Sequence, residues 1–228
     1  MALIEISDLK KHYKSGCDVV EALRGVEMTI AAGEFITIMG ESGSGKSTLL
    51  SVLGGMNHPT EGRVEMAGTV LYSLPCELLA DFRAQNLGFV FQSFHLIPYL
   101  TALENVMLPL AIVKSGAAAK KSAAQSALDR VGLGNKLDRL PNQLSGGEQE
   151  RVAIARAIVN NPRILLADEP TGNLDSKTGE EIMRLFRELN EAGQTVVMVT
   201  HNMENGAYAD RTIRLKDGLV SGENCNQP

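Results

Sequence analysis

A lysine, a serine, two acids and a histidine set the chemistry available to this 228-residue chain. Lys46 and Ser47 fall in GESGSGKST, Gly40 to Thr48, which fits the pattern G-x-x-x-x-G-K-[ST]. It follows the apolar run FITIM and opens a helical pattern, the context a phosphate cradle requires. Backbone N–H groups of Gly40, Glu41, Ser42, Gly43, Ser44 and Gly45 would turn inward around the β-phosphate. Lys46 would neutralise β- and γ-phosphate charge, and the Ser47 hydroxyl would ligate Mg2+, with Thr48 closing the motif. Glu41 is out of character, since an acid beside a triphosphate is unfavourable. Its side chain is expected to point away. Asp168 and Glu169 end the run ILLADEP, where Asp168 would hold the Mg2+ shell and Glu169 polarise an attacking water. His201 closes the run TVVMVTH and is expected to emerge beside Glu169. His12, His58 and His95 have no such context and are read as structural.

A second stretch, LSGGEQERVAIARA from Leu144 to Ala157, also has the makings of an anion site. Ser145, Gly146 and Gly147 precede a helical run, so N–H groups and the positive end of the helix dipole would point outward together. It carries no lysine. Ser145 with Glu148 three residues on also fits a capping box, and both readings can hold at once.

The elements that must position these groups can be read from the apolar runs. FITIMG at 35–40, LGFVFQ at 87–92, RILLADEP at 163–170 and TVVMVTH at 195–201 are continuous, as in strands buried on both faces. Helical patterns lie at 46–53, 118–131, 149–159 and 177–190. Alternation of the two predicts an α/β domain with a mainly parallel core sheet. Residues 2–37 alternate apolar and polar, predicting an N-terminal antiparallel β-subdomain, and 93–159 have almost no strand signal, predicting an inserted helical subdomain. The whole chain, 1–228, is expected to be one domain: core and β-subdomain over 1–92 and 160–222, helices over 93–159, and a tail from 223 to 228.

Composition narrows the class. The chain is 44% hydrophobic and 21% charged, and its net charge of −5 argues against a nucleic-acid coat. Cys17, Cys76 and Cys225 are scattered and odd in number, suggesting neither disulfides nor zinc but a reducing compartment. The opening residues lack the apolar core of a signal peptide, and no run reaches the ~20 apolar residues of a membrane span. Any membrane role is therefore expected to come through a partner.

With these motifs in order, the sequence resembles the ATP-binding subunits of ABC transporters over roughly residues 2–222. GESGSGKST resembles the Walker A loop, ILLADE Walker B, and LSGGEQ the family signature. The resemblance implies a P-loop NTPase fold and ATP hydrolysis. It makes Gln92 the Q-loop glutamine near metal and water, Asp175 in GNLD the D-loop acid, His201 the switch histidine, and Tyr13 the aromatic stacked on adenine. The catalytic set implied is Glu169, His201 and Gln92; the metal set is Ser47, Gln92 and Asp168. It also implies that Ser145, Gly146, Gly147 and Glu148 serve the ATP held by a second copy, or a homologous subunit, in a head-to-tail dimer.

ALRGVEMTIAAGEFITIMGESGSGKSTLL, FQSFHLIPYLTALENVMLPL and LLADEPTGNLDS are similar to the branch containing the lipoprotein-release, macrolide-export and cell-division ATPases (LolD, MacB and FtsE). That branch implies a transmembrane permease subunit with a large extracytoplasmic domain. Its cytoplasmic helix would dock near Phe94 to Tyr99, where Phe94, Leu96, Ile97, Pro98 and Tyr99 are apolar. It places the protein in the cytoplasm, peripheral on the cytoplasmic face of the bacterial inner membrane. A soluble ABC ATPase acting on translation or DNA is the competing class. Such proteins carry tandem cassettes, coiled-coil insertions or basic extensions, which this sequence does not show. A regulatory subunit without turnover is disfavoured by the presence of Glu169, His201 and Gln92.

Overall fold

A computed structural model describes residues 2–16 and 18–226; Met1, Cys17, Gln227 and Pro228 lie outside them. Two long strands open the chain, β1 (Ala2–Ser15) and β2 (Asp18–Ala31), paired antiparallel with Tyr13 opposite Val20. β3 (Phe35–Met39) leads through the Gly40–Gly45 loop into helix α1 (Lys46–Leu53). Then come β4 (Glu61–Met66), β5 (Thr69–Val70), α2 (Cys76–Asn86) and β6 (Leu87–Val90). Three helices follow, α3 (Ala102–Met107), α4 (Ala117–Arg130) and α5 (Gly146–Ile158). The chain returns through β7 (Ile164–Asp168), α6 (Ser176–Glu191), β8 (Thr195–Thr200), β9 (Arg211–Lys216) and β10 (Leu219–Cys225).

The strands form two sheets, β2-β1-β4-β5 and β10-β9-β3-β8-β7-β6. In the larger, β9, β3, β8, β7 and β6 are parallel and β10 returns antiparallel along β9. This is the architecture expected: a mainly parallel core sheet, an antiparallel β-subdomain and a helical subdomain. The continuous apolar runs have a direct cause, because the core sheet has a hydrophobic mass on each face. Ile36, Ile38, Leu166, Val197 and Val199 join the side with α1 and the antiparallel sheet. Phe35, Leu165, Ala167, Val196 and Met198 join the side with the helices of 102–191. Neither face meets water, so the period of two is hidden. Helix α6 shows the opposite case. Ile182, Met183, Leu185, Phe186 and Leu189 turn inward at helical spacing, and Gly193 past its end takes a left-handed φ of 101°, which ends the helix.

Several elements depart from expectation. The antiparallel stretch stops at Ala31, and residues 35–37 belong to the parallel sheet. The tail expected from 223 is strand as far as Cys225. Glu223, Asn224 and Cys225 pair with Ile213, Thr212 and Arg211, and the Asn226 side chain donates to the carbonyls of Gly206 and Ala209. Cys17 lies outside the described residues; Cys76 and Cys225 are free and exposed. No helix among the described residues is long and apolar enough to cross a membrane.

Candidate functional site

The carboxyl ends of β3, β7 and β8 deliver Lys46, the acid pair and His201 to one edge of the core sheet, where ligands of open α/β sheets sit. A cavity of about 610 Å³ there is lined by Ser42, Gly43, Gly45, Lys46, Ser47, Thr48, Gln92, Asp168, Glu169 and His201, with Val20, Glu21 and Ala22 of β2 as the far wall. The cradle loop is fixed by close packing. Gly45 precedes α1 at φ 104°, and a Cβ there would lie 2.4 Å from the Ala22 carbonyl. Only glycine fits that approach and that backbone. The N-terminus of α1 therefore opens directly onto the cavity.

Lys46 is 8% exposed, and its Nζ donates to the carbonyls of Gly40 at 2.8 Å and Glu41 at 2.9 Å. A phosphate oxygen offers that ammonium a charged acceptor in place of two neutral ones. Ser47 Oγ lies 3.4 Å from Asp168 Oδ1. Burial holds the Asp168 carboxyl above its ordinary value, helped by Glu169, while Ser47 and Lys46 pull it back. A cation beside it would favour the ionised form. No group of three or more His, Cys, Asp or Glu that could hold a metal occurs among the described residues. Mg2+ fits the hydroxyl, carboxylate and amide donors of Ser47, Asp168 and Gln92, because it keeps several waters and substrate phosphates as ligands.

Glu169 is held in place. Its φ of 49° puts a non-glycine residue in the left-handed region, strain of about 1–3 kcal/mol of the kind found at functional sites. Its Oε2 sits 2.9 Å from His201 Nδ1 and accepts from the His201 backbone N–H at 3.2 Å. The carboxylate side is 13% exposed and the imidazole 67%, so the histidine is the part open to solvent. Gln92 is tethered through its own carbonyl, which accepts from Asn173 Nδ2 at 2.7 Å.

Other predicted residues stand elsewhere. Glu41 does not line this cavity; with Gly40 and Ser44 it lines a neighbouring hollow that shares Ser42, Gly43 and His201 with it. Tyr13 stands just outside, beside its cross-strand neighbour Val20, its hydroxyl accepting from Asn57 at 2.6 Å and Lys11 over its ring. Asp175, expected at nucleotide, N-caps α6 in its own chain, accepting from the Thr178 N–H and hydroxyl at 3.0 and 2.6 Å. Both contacts hold its carboxyl below its usual range. None of Ser145, Gly146, Gly147 or Glu148 lines the cavity. Ser145 Oγ accepts from the Glu148 N–H at 3.3 Å while Glu148 Oε2 accepts from the Ser145 N–H at 2.9 Å, a complete capping box. Glu148 is further paired with Lys136, which together with the Ser145 N–H holds its carboxyl below the usual range. Glu148 is thus committed within its own chain, and Gly146 and Gly147 supply the free N–H groups of the first turn.

The segment 94–99, expected to receive a helix, borders an apolar hollow. A groove of about 720 Å³ is the larger apolar feature, lined chiefly by Met56, Leu87, Phe89, Phe91, Pro109 and Ile112, with His95 and Arg156. Of residues 94–99 it includes His95 alone. Leu96 packs against the helical core and Tyr99 is 77% exposed, so the segment forms a rim rather than a floor. Its shape is fixed by the buried Asn105, whose amide donates to the carbonyls of Ile97, Leu100 and Thr101 and accepts from the Ile97 N–H at 2.8 Å. Sequence reading had no signal for Asn105 or for Asn173. It read Val20 to Ala22 only as strand, although a cradle glycine implies some backbone pressed against it.

The sequence profile of the ABC transporter family matches residues 23–172. The chain is 50% identical over 222 residues to the macrolide export ATP-binding/permease protein MacB of Rhodopirellula baltica, covering 96% of this chain but 32% of that one. It therefore spans about a third of that relative's length. It is 48% identical over 220 residues to the lipoprotein-releasing system ATP-binding protein LolD of Geobacter metallireducens, covering 96% of this chain and 98% of that one. Among solved structures, a dimeric post-hydrolysis state of the ATP-binding cassette MJ0796 bound to ADP and Pi aligns with a TM-score of 0.90 at 46% identity, over 99% of both chains. A protein of the same designation from Methanocaldococcus jannaschii is 49% identical over 226 residues.

Proposed function

The chain belongs to the ABC transporter family and is an ATP-binding ATPase, and we propose that two copies, or one copy and a homologous subunit, close head to tail on ATP to drive a membrane export or force-transmitting complex. One observation carries the reading. The cradle with Lys46 opens on a cavity that holds both acids and His201, while the second cradle, Ser145 to Gly147, lines no part of it. An anion site of N–H groups and dipole, whose one lysine and one acid are spent on each other, makes sense as the lid on a phosphate that another chain holds.

In this scheme Lys46 exchanges its two carbonyl acceptors for the β- and γ-phosphates. Ser47, Asp168 and Gln92 would hold Mg2+, which when bound would supply neutralisation of phosphate charge. Glu169, fixed by His201, accepts the proton of the attacking water. Gly146 and Gly147 of the second copy donate to the γ-phosphate, and its release removes the link between chains. Tyr13 faces the adenine from the rim beside Val20. The Phe91–Ile112 groove, rimmed by 94–99, takes a helix from a membrane-spanning segment, on this polypeptide or another, at the cytoplasmic face of the membrane. The cargo follows that segment. Lipoprotein, drug, peptide and haem are all compatible with these residues.

The test is co-purification. Glu169→Gln, tagged and held with Mg-ATP, should bring a membrane protein with a large extracytoplasmic domain out of gently solubilised native membranes. Recovery of ribosomes or nucleic acid instead would replace the transporter reading with that of a soluble ATPase.

A further inference from the structure

The guanidinium of Arg156, near the C-terminal end of α5, donates from Nη1 to the His95 carbonyl at 2.5 Å and from Nη2 to the Phe94 carbonyl at 2.6 Å. Those two residues are consecutive non-glycines in left-handed backbone, with φ of 58° and 49°. Side chains disfavour that region, so a run of two persists only where the surroundings impose it. The imposing group here is a planar fork whose two N–H directions match two adjacent carbonyls. Arg156 is half-buried; burial draws its guanidinium below the ordinary arginine value, and Glu150 opposes that.

Position makes the clamp consequential. Phe94 lies two residues after Gln92, which lines the nucleotide cavity, and His95 lines the apolar groove together with Phe91 and Arg156. At the other end of the same 13-residue helix, Ser145, Gly146 and Gly147 form the second cradle. A helix of that length is a stiff rod roughly 20 Å long. One rigid element therefore carries the signature at its N-terminus and grips the Gln92 loop near its C-terminus.

We infer that Arg156 is a positioning residue for ATP turnover: by holding Phe94 and His95 in their left-handed turn it sets the Gln92 loop and ties its position to that of the signature at the other end of α5. This rests on the two-copy ATPase reading. Arg156 lines neither the cavity nor the second cradle, so its effect is on rate rather than on ATP affinity.

The experiment compares the full-length parent with Arg156→Lys and Arg156→Lys/His95→Gly for steady-state ATPase kcat and KM, melting temperature, and ATP-dependent dimerisation in a Glu169→Gln background. Lysine keeps the charge but loses the fork. We expect kcat to fall about tenfold with KM within about twofold and melting nearly unchanged, as when a catalytic loop is displaced by a fraction of an ångström. Glycine at 95 occupies the left-handed region without a clamp, so the double variant should recover part of kcat. A Lys variant with parental kcat per folded molecule, or one whose loss tracks melting alone with no recovery by glycine, overturns the inference. A parent that neither hydrolyses ATP nor dimerises with it in the Glu169→Gln form overturns the two-copy reading itself, which separates the two failures.

Discussion

The chain contains two loop-to-helix anion sites built on different plans. At Gly40 to Thr48 the loop is wrapped by its own sheet, a lysine is buried inside it, and two acids and a histidine converge on the same cavity. At Ser145 to Glu148 the serine is exposed, Glu148 is spent on a capping box and on Lys136, and Asp175 nearby is spent on the cap of α6. The first site has every group phosphoryl transfer calls for. The second offers the N–H groups of a helix N-terminus and no uncommitted side-chain charge. That asymmetry is the physical case for two chains sharing each nucleotide.

The largest effects should fall on the complete site. Glu169→Gln removes the proton acceptor but leaves Lys46 and the loop N–H groups in place, so kcat should drop on the order of 10³ with ATP affinity retained. A parental rate would remove Glu169 from the chemistry. His201→Ala frees the carboxylate it holds at 2.9 Å, and a loss on the order of 10² is expected in single-turnover assays, with little change in ATP binding.

At the second site the glycines should separate. A Cβ at Gly147 would lie 2.3 Å from Thr178 Cγ2, on a side chain already tied to Asp175, whereas one at Gly146 meets only Leu174 at 3.4 Å. Gly147→Ala should therefore destabilise the fold by about 1–3 kcal/mol, and Gly146→Ala hardly at all. Thr178→Ser deletes that methyl and should restore most of the Gly147→Ala loss in urea denaturation; without restoration, the steric account is wrong. Ser145→Ala should cost about 1 kcal/mol through the lost cap.

A pH-dependent effect lies one turn along the same helix. Glu150 is fully buried, neither carboxylate oxygen has a hydrogen-bond partner, and burial pushes its carboxyl up from 4.5 to about 8, with Arg156 pulling it back. Between those values the folded chain keeps a proton that the unfolded chain has released, so stability falls as pH rises through the window and levels off above it. Glu150→Gln should leave melting nearly unchanged at pH 5 and raise it by several degrees above pH 8. An equal shift at both pH values would contradict a neutral Glu150.

The parallel core was legible because strands buried on both faces appear as unbroken apolar runs, each ending where chemistry had to sit: Met39 before the cradle, Asp168, and His201 after Thr200. The β9–β10 hairpin was not. Arg211, Arg214 and Lys216 break its apolar pattern, and it belongs to the sheet through pairing with β3, which a local pattern cannot register. In the site, a spacing rule pointed to Lys46 and Ser47. Asn173 and Arg156 act through carbonyls on segments distant in sequence, Asn105 through the irregular loop just before it, and no spacing announces any of them. Nor could the apolar groove be placed from local pattern: Phe94 to Tyr99 are mostly apolar, but Arg156 and Asn105 fold their backbone into its rim.

The most direct test of shared nucleotide is sedimentation of Glu169→Gln with Mg-ATP, with and without Gly146→Asp. An acid at that helix N-terminus suits the dipole and should leave the fold intact, but it sets a negative charge where a γ-phosphate would come. The account predicts that Glu169→Gln sediments as an ATP-dependent dimer and that the double variant stays monomeric with the same ATP affinity per chain. A double variant that dimerises equally well, or a monomer whose own ATP affinity collapses, would contradict a cradle that serves the partner.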